Sequence, residues 1–149
     1  GLSGFTIYTV AKASTLSGTC PIIATDVADA LAIEWTGSYY AISASSGTGT
    51  SSVSGDTTSY HIFGLVFDGS AANNSSRLVF RYDRQPRSLN FGATTVGTTT
   101  SNSIKYFYYG TDNTNFWTGD IAEILMYTRV LSTNECAQVE SYFGTHWGI

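Results

Sequence analysis

Residues 116–149 read Phe116-Trp-Thr-Gly-Asp-Ile-Ala-Glu-Ile-Leu-Met-Tyr-Thr-Arg-Val-Leu-Ser-Thr-Asn-Glu-Cys-Ala-Gln-Val-Glu-Ser-Tyr-Phe-Gly-Thr-His-Trp-Gly-Ile149. The stretch is one β-strand, a tight corner and one capped helix. Residues 119–127 have the apolar, β-branched character of a strand. Ser132 then stands as a helix N-cap with Glu135 three residues on, the spacing of a capping box. Leu131 before the cap can staple onto Cys136. Cys136, Val139, Tyr142, Phe143 and Trp147 fall on one stripe, which predicts a helix lying on a sheet with that stripe buried. Gly144 is the weak point, where the helix is expected to fray or end.

Working back from that segment, short strand signals recur. Residues 5–11 alternate Phe5, Ile7, Thr9, Ala11 on one face with Thr6, Tyr8, Val10 on the other. Residues 21–25, 30–35 and 39–44 read as three more strands. Turns fall at 26–29 and 36–38, and the last pair forms a hairpin. The Ser/Thr/Gly tract 45–59 has little to bury and reads as a long surface loop. Residues 60–68 are apolar on both faces, which places that strand centrally. Strands at 77–83 and 87–91, separated by Arg84-Gln85-Pro86, follow. A Thr-rich connection at 92–103 leads to a strand at 104–109. Such a series of short strands with one terminal helix is an all-β, two-sheet antiparallel sandwich, here expected to form one domain over 1–149.

Composition agrees. Charged residues are 12% of the chain and aromatics 14%. Ser and Thr together make up roughly a quarter, a balance that suits strands and turns rather than long helices. The net charge of −4 argues against nucleic acid as a partner. Arg77, Arg81, Arg84 and Arg87 supply four of the seven basic residues within eleven positions. They read as a soluble strand edge, or else as a patch for an acidic sugar or a neighbouring subunit. Cys20 and Cys136 have no metal-ligand spacing; a buried free thiol at Cys136 is the simpler reading beside a long-range disulfide. No stretch has the length and apolarity of a transmembrane helix, so membrane insertion is not expected.

The closing segment, with Gly119-Asp-Ile-Ala-Glu-Ile-Leu-Met-Tyr127 and Arg129-Val-Leu-Ser132, resembles laminin-G-like, concanavalin-A-like jelly-roll domains. Gly4-Phe-Thr-Ile-Tyr-Thr-Val-Ala-Lys12 and His61-Ile-Phe-Gly-Leu-Val-Phe-Asp-Gly69 are similar to earlier strands of that family. The resemblance covers most of the chain and implies a jelly roll with a role in binding or adhesion. Such domains carry further sequence, including an edge strand, ahead of the strand matching 5–11. The resemblance therefore implies the C-terminal part of a larger protein, or a neighbouring chain that supplies the strand. Relatives also carry an Asn-Gly turn near residues 81–86, where this chain has none.

Glycoside hydrolases on the same jelly roll need two carboxylates on one strand face. Asp120 and Glu123, three apart, are expected on opposite faces, and Glu34 stands alone. Glu123, in apolar company, reads as a carboxylate that accepts hydrogen bonds from a turn and ties down the sheet, or else as a perturbed functional acid. No Gly-x-Ser-x-Gly elbow occurs. His61 and His146 read as structural. The chain is therefore expected not to be an enzyme. Laminin-G-like and pentraxin-like relatives hold calcium at the sandwich rim, which the resemblance extends to Asp26 and Asp29 in one loop and Asp112, Asn113 and Asn115 in another; ordinary turn chemistry also explains them. Trp35, Tyr39 and Tyr40 around one turn, and Tyr106, Tyr108, Phe116 and Trp117 around another, are candidates to stack on sugar, with Asn115 for hydroxyls; the alternative is that they fill the core. Asn73 and Asn74 each open an N-x-Ser sequon.

The function expected is recognition of a glycan or glycosylated surface, within an extracellular or virion-surface protein. The rival is a structural decoration or assembly domain of a particle, fibre or surface layer, contacting neighbouring protein chains.

Overall fold

A computed structural model describes residues 1–26, 31–100 and 106–149. The elements are β1 (Gly4–Thr15), β2 (Cys20–Thr25), β3 (Leu31–Trp35), β4 (Tyr40–Ala44), β5 (Gly47–Thr50), β6 (His61–Asp68), the short α1 (Asn74–Arg77), β7 (Leu78–Tyr82), β8 (Gln85–Arg87), β9 (Phe107–Tyr109), β10 (Thr118–Tyr127) and α2 (Thr133–Trp147). They form two five-stranded antiparallel sheets, ordered β10-β1-β6-β7-β8 and β5-β4-β3-β2-β9. The helix α2 lies on the outer face of the first sheet, so the molecule has three layers.

Strand alternation builds two cores. Phe5, Ile7 and Ala11 of β1, with Phe63, Leu65 and Phe67 of β6, point between the sheets. There they meet Ile33, Trp35, Tyr40 and Ile42 of the second sheet. Tyr8 and Val10 of β1, with Ile62 and Val66 of β6, point the other way, onto Leu131, Cys136 and Phe143. This is why residues 61–68 are apolar on both faces: β6 is central in its sheet and covered on each side. Gly64 is required by that packing, since a Cβ there would come within 2.5 Å of Cε1 of Tyr8.

The helix starts as its sequence dictates. The Ser132 side chain accepts from the Glu135 N–H, and the Glu135 carboxylate accepts from the Ser132 N–H at 2.8 Å. The buried stripe differs from the expected one. Cys136, Glu140 and Phe143 are buried, whereas Tyr142 and Trp147 lie at the exposed edge. Gly144 does not end the helix, which runs to a left-handed cap at Gly148, φ 70°.

Glu140 fills its buried place by forming a network. It accepts from Tyr8 Oη at 2.9 Å, from Arg81 Nε at 2.5 Å and from Arg81 Nη2 at 2.9 Å. Burial, then the neighbouring Cys136 and Glu140, push the Tyr8 hydroxyl far above the usual phenol range.

Several local expectations are corrected. Part of the 45–59 tract is strand: β5 pairs with β4 through a turn at Ser45 and Ser46, both at positive φ. The hairpin after β7 turns at Asp83 and Arg84, φ 48° and 67°, not at 84–86. These are the left-handed positions that Asn-Gly usually fills in a two-residue turn. Pro86 then sits in β8, an edge strand, where its missing N–H does no harm. Residues 87–91 contribute only Arg87 to β8 and an isolated bridge at Asn90. The expected starts of β3 at 30 and of β9 at 104 lie outside the described residues. Both cysteines are buried and free, so no disulfide links them.

Candidate functional site

The outer face of the second sheet carries small side chains where β2 and β3 pair. Ala24 lies beside Ala32, and Tyr108 of β9 pairs with Ala24 on the other side. Glu34, two residues beyond Ala32, shares this face because Leu31, Ile33 and Trp35 take the opposite phase into the core. The loop after β9 rises beside this floor and encloses a cleft of about 450 Å³. Asp26 and Thr25 close one end, and Asp112, Asn113, Thr114 and Asn115 form the wall.

That wall is rigidly built. The Asp112 carboxylate accepts from the N–H groups of Thr114 at 2.8 Å and Asn115 at 2.6 Å, and from Asn115 Nδ2 at 2.8 Å. Burial raises the Asp112 pKa, but these bonds outweigh it and hold the carboxyl below its ordinary range. Asn113 sits at φ 75°, a conformation Asn tolerates. Across the cleft, Asp26 Oδ1 accepts the Tyr106 N–H at 3.2 Å. Tyr106 and Tyr108 stack with ring centres 6.5 Å apart, and Tyr106 is 61% exposed. The arrangement offers an apolar floor, aromatic edges and amide and carboxylate groups converging on one space, as small-ligand sites do.

The structure thus gathers Tyr108, Asn115, Asp26, Asp112 and Asn113 into one cleft, with Tyr106 beside it. Asp29 lies outside the described residues. Three aromatic candidates go elsewhere. Trp35, Tyr40 and Trp117 are 7%, 1% and 8% exposed and belong to the core between the sheets. Trp35 and Tyr40 face each other across the β3–β4 hairpin, edge to face at 5.1 Å, because both take the inward phase. Tyr39 is exposed in the turn between β3 and β4 and lines no part of the cleft. Phe116 is exposed at the end of the cleft loop. Glu34, Ala24, Ala32 and Thr114 were not anticipated; only the outward phase of β2 and β3 could have pointed to the first three. Among the described residues no group of three or more His, Cys, Asp or Glu is arranged to hold a metal ion.

The arginines are dispersed over separate tasks. Arg77 donates to the carbonyls of Ala71 and Val96, both at 2.8 Å. Arg81 pairs with Glu140, Arg84 donates to the Ile149 carbonyl, and Arg87 lies over the Tyr82 ring. Asn73 caps α1, and the Asn74 amide bonds Thr94 and Val96.

The two carboxylates on β10 are not arranged as expected. Val10 pairs with Glu123 but Ala11 pairs with Ile121, so Ala122 is a bulge residue. Lys12 pairs with Asp120. Since Val10 and Lys12 share a face of β1, Glu123 and Asp120 share a face of β10. Ile121 instead joins Ile124 on the core side. Asp120 accepts from Tyr60 Oη at 3.0 Å. Glu123 accepts from Tyr142 Oη at 3.0 Å and from Trp147 Nε1 at 2.9 Å, which ties α2, rather than a turn, to the sheet.

No known protein-family model matches this chain, and no curated protein matches it in sequence. Its fold does match solved structures. A sialidase of Trypanosoma rangeli superposes with TM-score 0.68 at 16% identity, over 92% of this chain and 22% of the sialidase. A Bacteroides ovatus protein described as carbohydrate-binding superposes with TM-score 0.74 at 12% identity, over 92% of this chain and 40% of that one. A heptameric SAP-like pentraxin of Limulus polyphemus gives TM-score 0.59 at 9% identity, over 93% of this chain and 70% of the pentraxin. The fold is therefore a two-sheet antiparallel jelly-roll sandwich of the concanavalin-A-like kind with one C-terminal helix. These likenesses correct the expectation that the chain is not an enzyme: sialidases are among the structures it most resembles. The face argument behind that expectation also fails, because the bulge at Ala122 puts Asp120 and Glu123 on the same side.

Proposed function

We propose that this chain is a laminin-G-like carbohydrate-recognition domain of a larger protein, and that it binds glycan in the cleft between the β2–β3 face and the Thr111–Phe116 loop. The observation that carries the reading is the cleft itself, with its Ala24 and Ala32 floor, Tyr108 and the converging polar groups of Asp112, Asn113 and Asn115. Aromatic faces and small apolar floors suit sugar C–H surfaces, and fixed amides and carboxylates suit hydroxyls. The likeness to a protein described as carbohydrate-binding supports the class of ligand. The short share of the sialidase that is matched supports a place within a longer chain. An extracellular or virion-surface setting fits a glycan ligand. Calcium belongs to the proposal as a bridge to sugar hydroxyls, held by Asp26, Asp112 and Asn113.

A second reading, assembly with neighbouring protein chains, is favoured by β10. Among the described residues it ends its sheet with ten residues along an unpaired edge, beside exposed Phe107, Tyr109 and Met126. Such an edge is a template for another strand.

A glycan array probed with the purified protein, in calcium and then in chelator, separates these. Selective retention supports glycan recognition, and its loss in chelator supports the calcium bridge. A folded protein that retains no glycan contradicts the first reading, and strand-dependent self-association would support the second.

A further inference from the structure

His61 opens β6, and its ring is held at both nitrogens. Nδ1 lies 2.7 Å from Oδ2 of Asp83 and Nε2 lies 2.9 Å from Oδ2 of Asp56. A neutral imidazole has one N–H, so one of the two carboxylates would face a lone pair. The imidazolium donates to both.

Each aspartate also anchors its own segment. Asp83 Oδ1 accepts the Ile62 N–H at 3.0 Å. Asp56 Oδ1 accepts the Thr58 N–H and hydroxyl, both at 2.7 Å. Around the ring, Tyr82 of β7 stacks at 4.8 Å, and Arg87 lies over the Tyr82 ring at 5.7 Å. Tyr60 and Arg84 line a cavity of about 390 Å³ beside His61, and Lys12 of β1 lies over the Tyr60 ring at 5.9 Å. Burial disfavours the imidazolium, but the bonds and charges of Asp83 and Asp56 outweigh it, so the pKa is raised.

The segment fastened by this pair covers the end of the sandwich. A Cβ on Gly55 would lie 2.5 Å from Leu16 Cδ1 and 2.9 Å from Trp35 Cη2. Ser51 is pinned by its N–H to the Tyr40 carbonyl at 2.9 Å. Between Ser51 and β6, among the described residues, no backbone–backbone bond ties residues 52–60 to either sheet.

We propose that His61 is a pH-sensitive latch: as the imidazolium it ties residues 51–60 to the β7–β8 turn, and its deprotonation loosens that segment over Trp35. The folded pKa lies above the unfolded one. The contribution to stability is therefore complete below the unfolded value of roughly 6.5 and is lost as pH rises through the folded value. On the acid side, bonds from Thr58, and then from His61, hold the Asp56 carboxyl far below the usual carboxylate range, so this arm of the latch stays charged. This inference does not rest on the glycan reading.

The test is NMR on the 15N-labelled protein, following the His61 ring nitrogens and the backbone order parameters of residues 52–59 from pH 5.5 to 9.5. The latch predicts a His61 pKa above that of a model peptide, lowered in Asp56→Asn, with order parameters falling in step with deprotonation. His61→Gln should give the loosened segment at every pH, with no step. Because Asp56 otherwise accepts only from Thr58 in its own loop, whereas Asp83 also accepts the Ile62 N–H of β6, the Asp56 variant keeps the test readable where Asp83→Asn fails to fold. A His61 pKa at or below the model value, or order parameters that ignore pH, overturns the proposal.

Discussion

Replacing Glu140 by Gln removes one charge from the interior while keeping the shape. The Glu140 side chain is 2% exposed and Arg81 is 12% exposed, so water cannot replace what is lost. The amide can still accept from Tyr8 or Arg81, but it leaves the guanidinium unbalanced under α2. Removing one partner of a buried pair costs about 3–5 kcal/mol. Against a total stability of about 5–15 kcal/mol, that is a large share. At about 2–4 °C per kcal/mol for a chain of this size, Tm should fall by roughly 6–20 °C. Urea and thermal unfolding, followed by circular dichroism, read the change. Replacing the whole network, Tyr8→Phe and Arg81→Met with Glu140→Leu, should recover most of the loss, since a buried pair gains little over an apolar one of similar volume and no buried hydroxyl is left without its acceptor. A single-variant cost below about 1 kcal/mol, the range of an exposed pair, would refute the reasoning.

Further outcomes follow from the core and from the helix cap. Trp35→Ala should destabilise the whole domain by about 3–5 kcal/mol, and not act as a selective binding mutant, because the ring fills the core; a variant with unchanged Tm would contradict this. The Glu135 carboxyl is held down to about 2, first by Arg129 and then by the Ser132 cap. Its pKa is depressed on folding, so its contribution is present above the unfolded value of roughly 4.3 and is lost as pH falls through about 2. Acid titration at 222 nm should show α2 weakening in that window, and Glu135→Gln should flatten the change. Ser132→Ala should cost about 1 kcal/mol at neutral pH.

Local patterns were legible where one physical rule dominated. Ser132 and Glu135 marked the start of α2, and the two-faced apolarity of 61–68 placed β6 at the centre. Legibility failed where tertiary geometry decided. Period-two alternation cannot see a bulge, so the shared face of Asp120 and Glu123 was hidden until Ala11 was seen to pair with Ile121. Nothing near Glu140 in the sequence marks it as buried, because its partners, Tyr8 and Arg81, lie 132 and 59 residues away. The aromatic candidates divided by strand phase: Trp35 and Tyr40 point inward, whereas Tyr108 points to the cleft. Loop chemistry named Asp26, Asp112, Asn113 and Asn115, but only folding brought the two loops to one space.

The central claim is that the cleft beneath the Asp112–Asn115 wall is where glycan binds. The most direct measurement is amide chemical-shift mapping of the 15N-labelled protein against the glycan best retained on an array, repeated with Tyr108→Ala. The account predicts shifts at Ala24, Ala32, Tyr108 and residues 112–115, abolished in Tyr108→Ala at unchanged Tm. Shifts confined to the β10 edge or to α2, or binding that survives the loss of Tyr108, would contradict it.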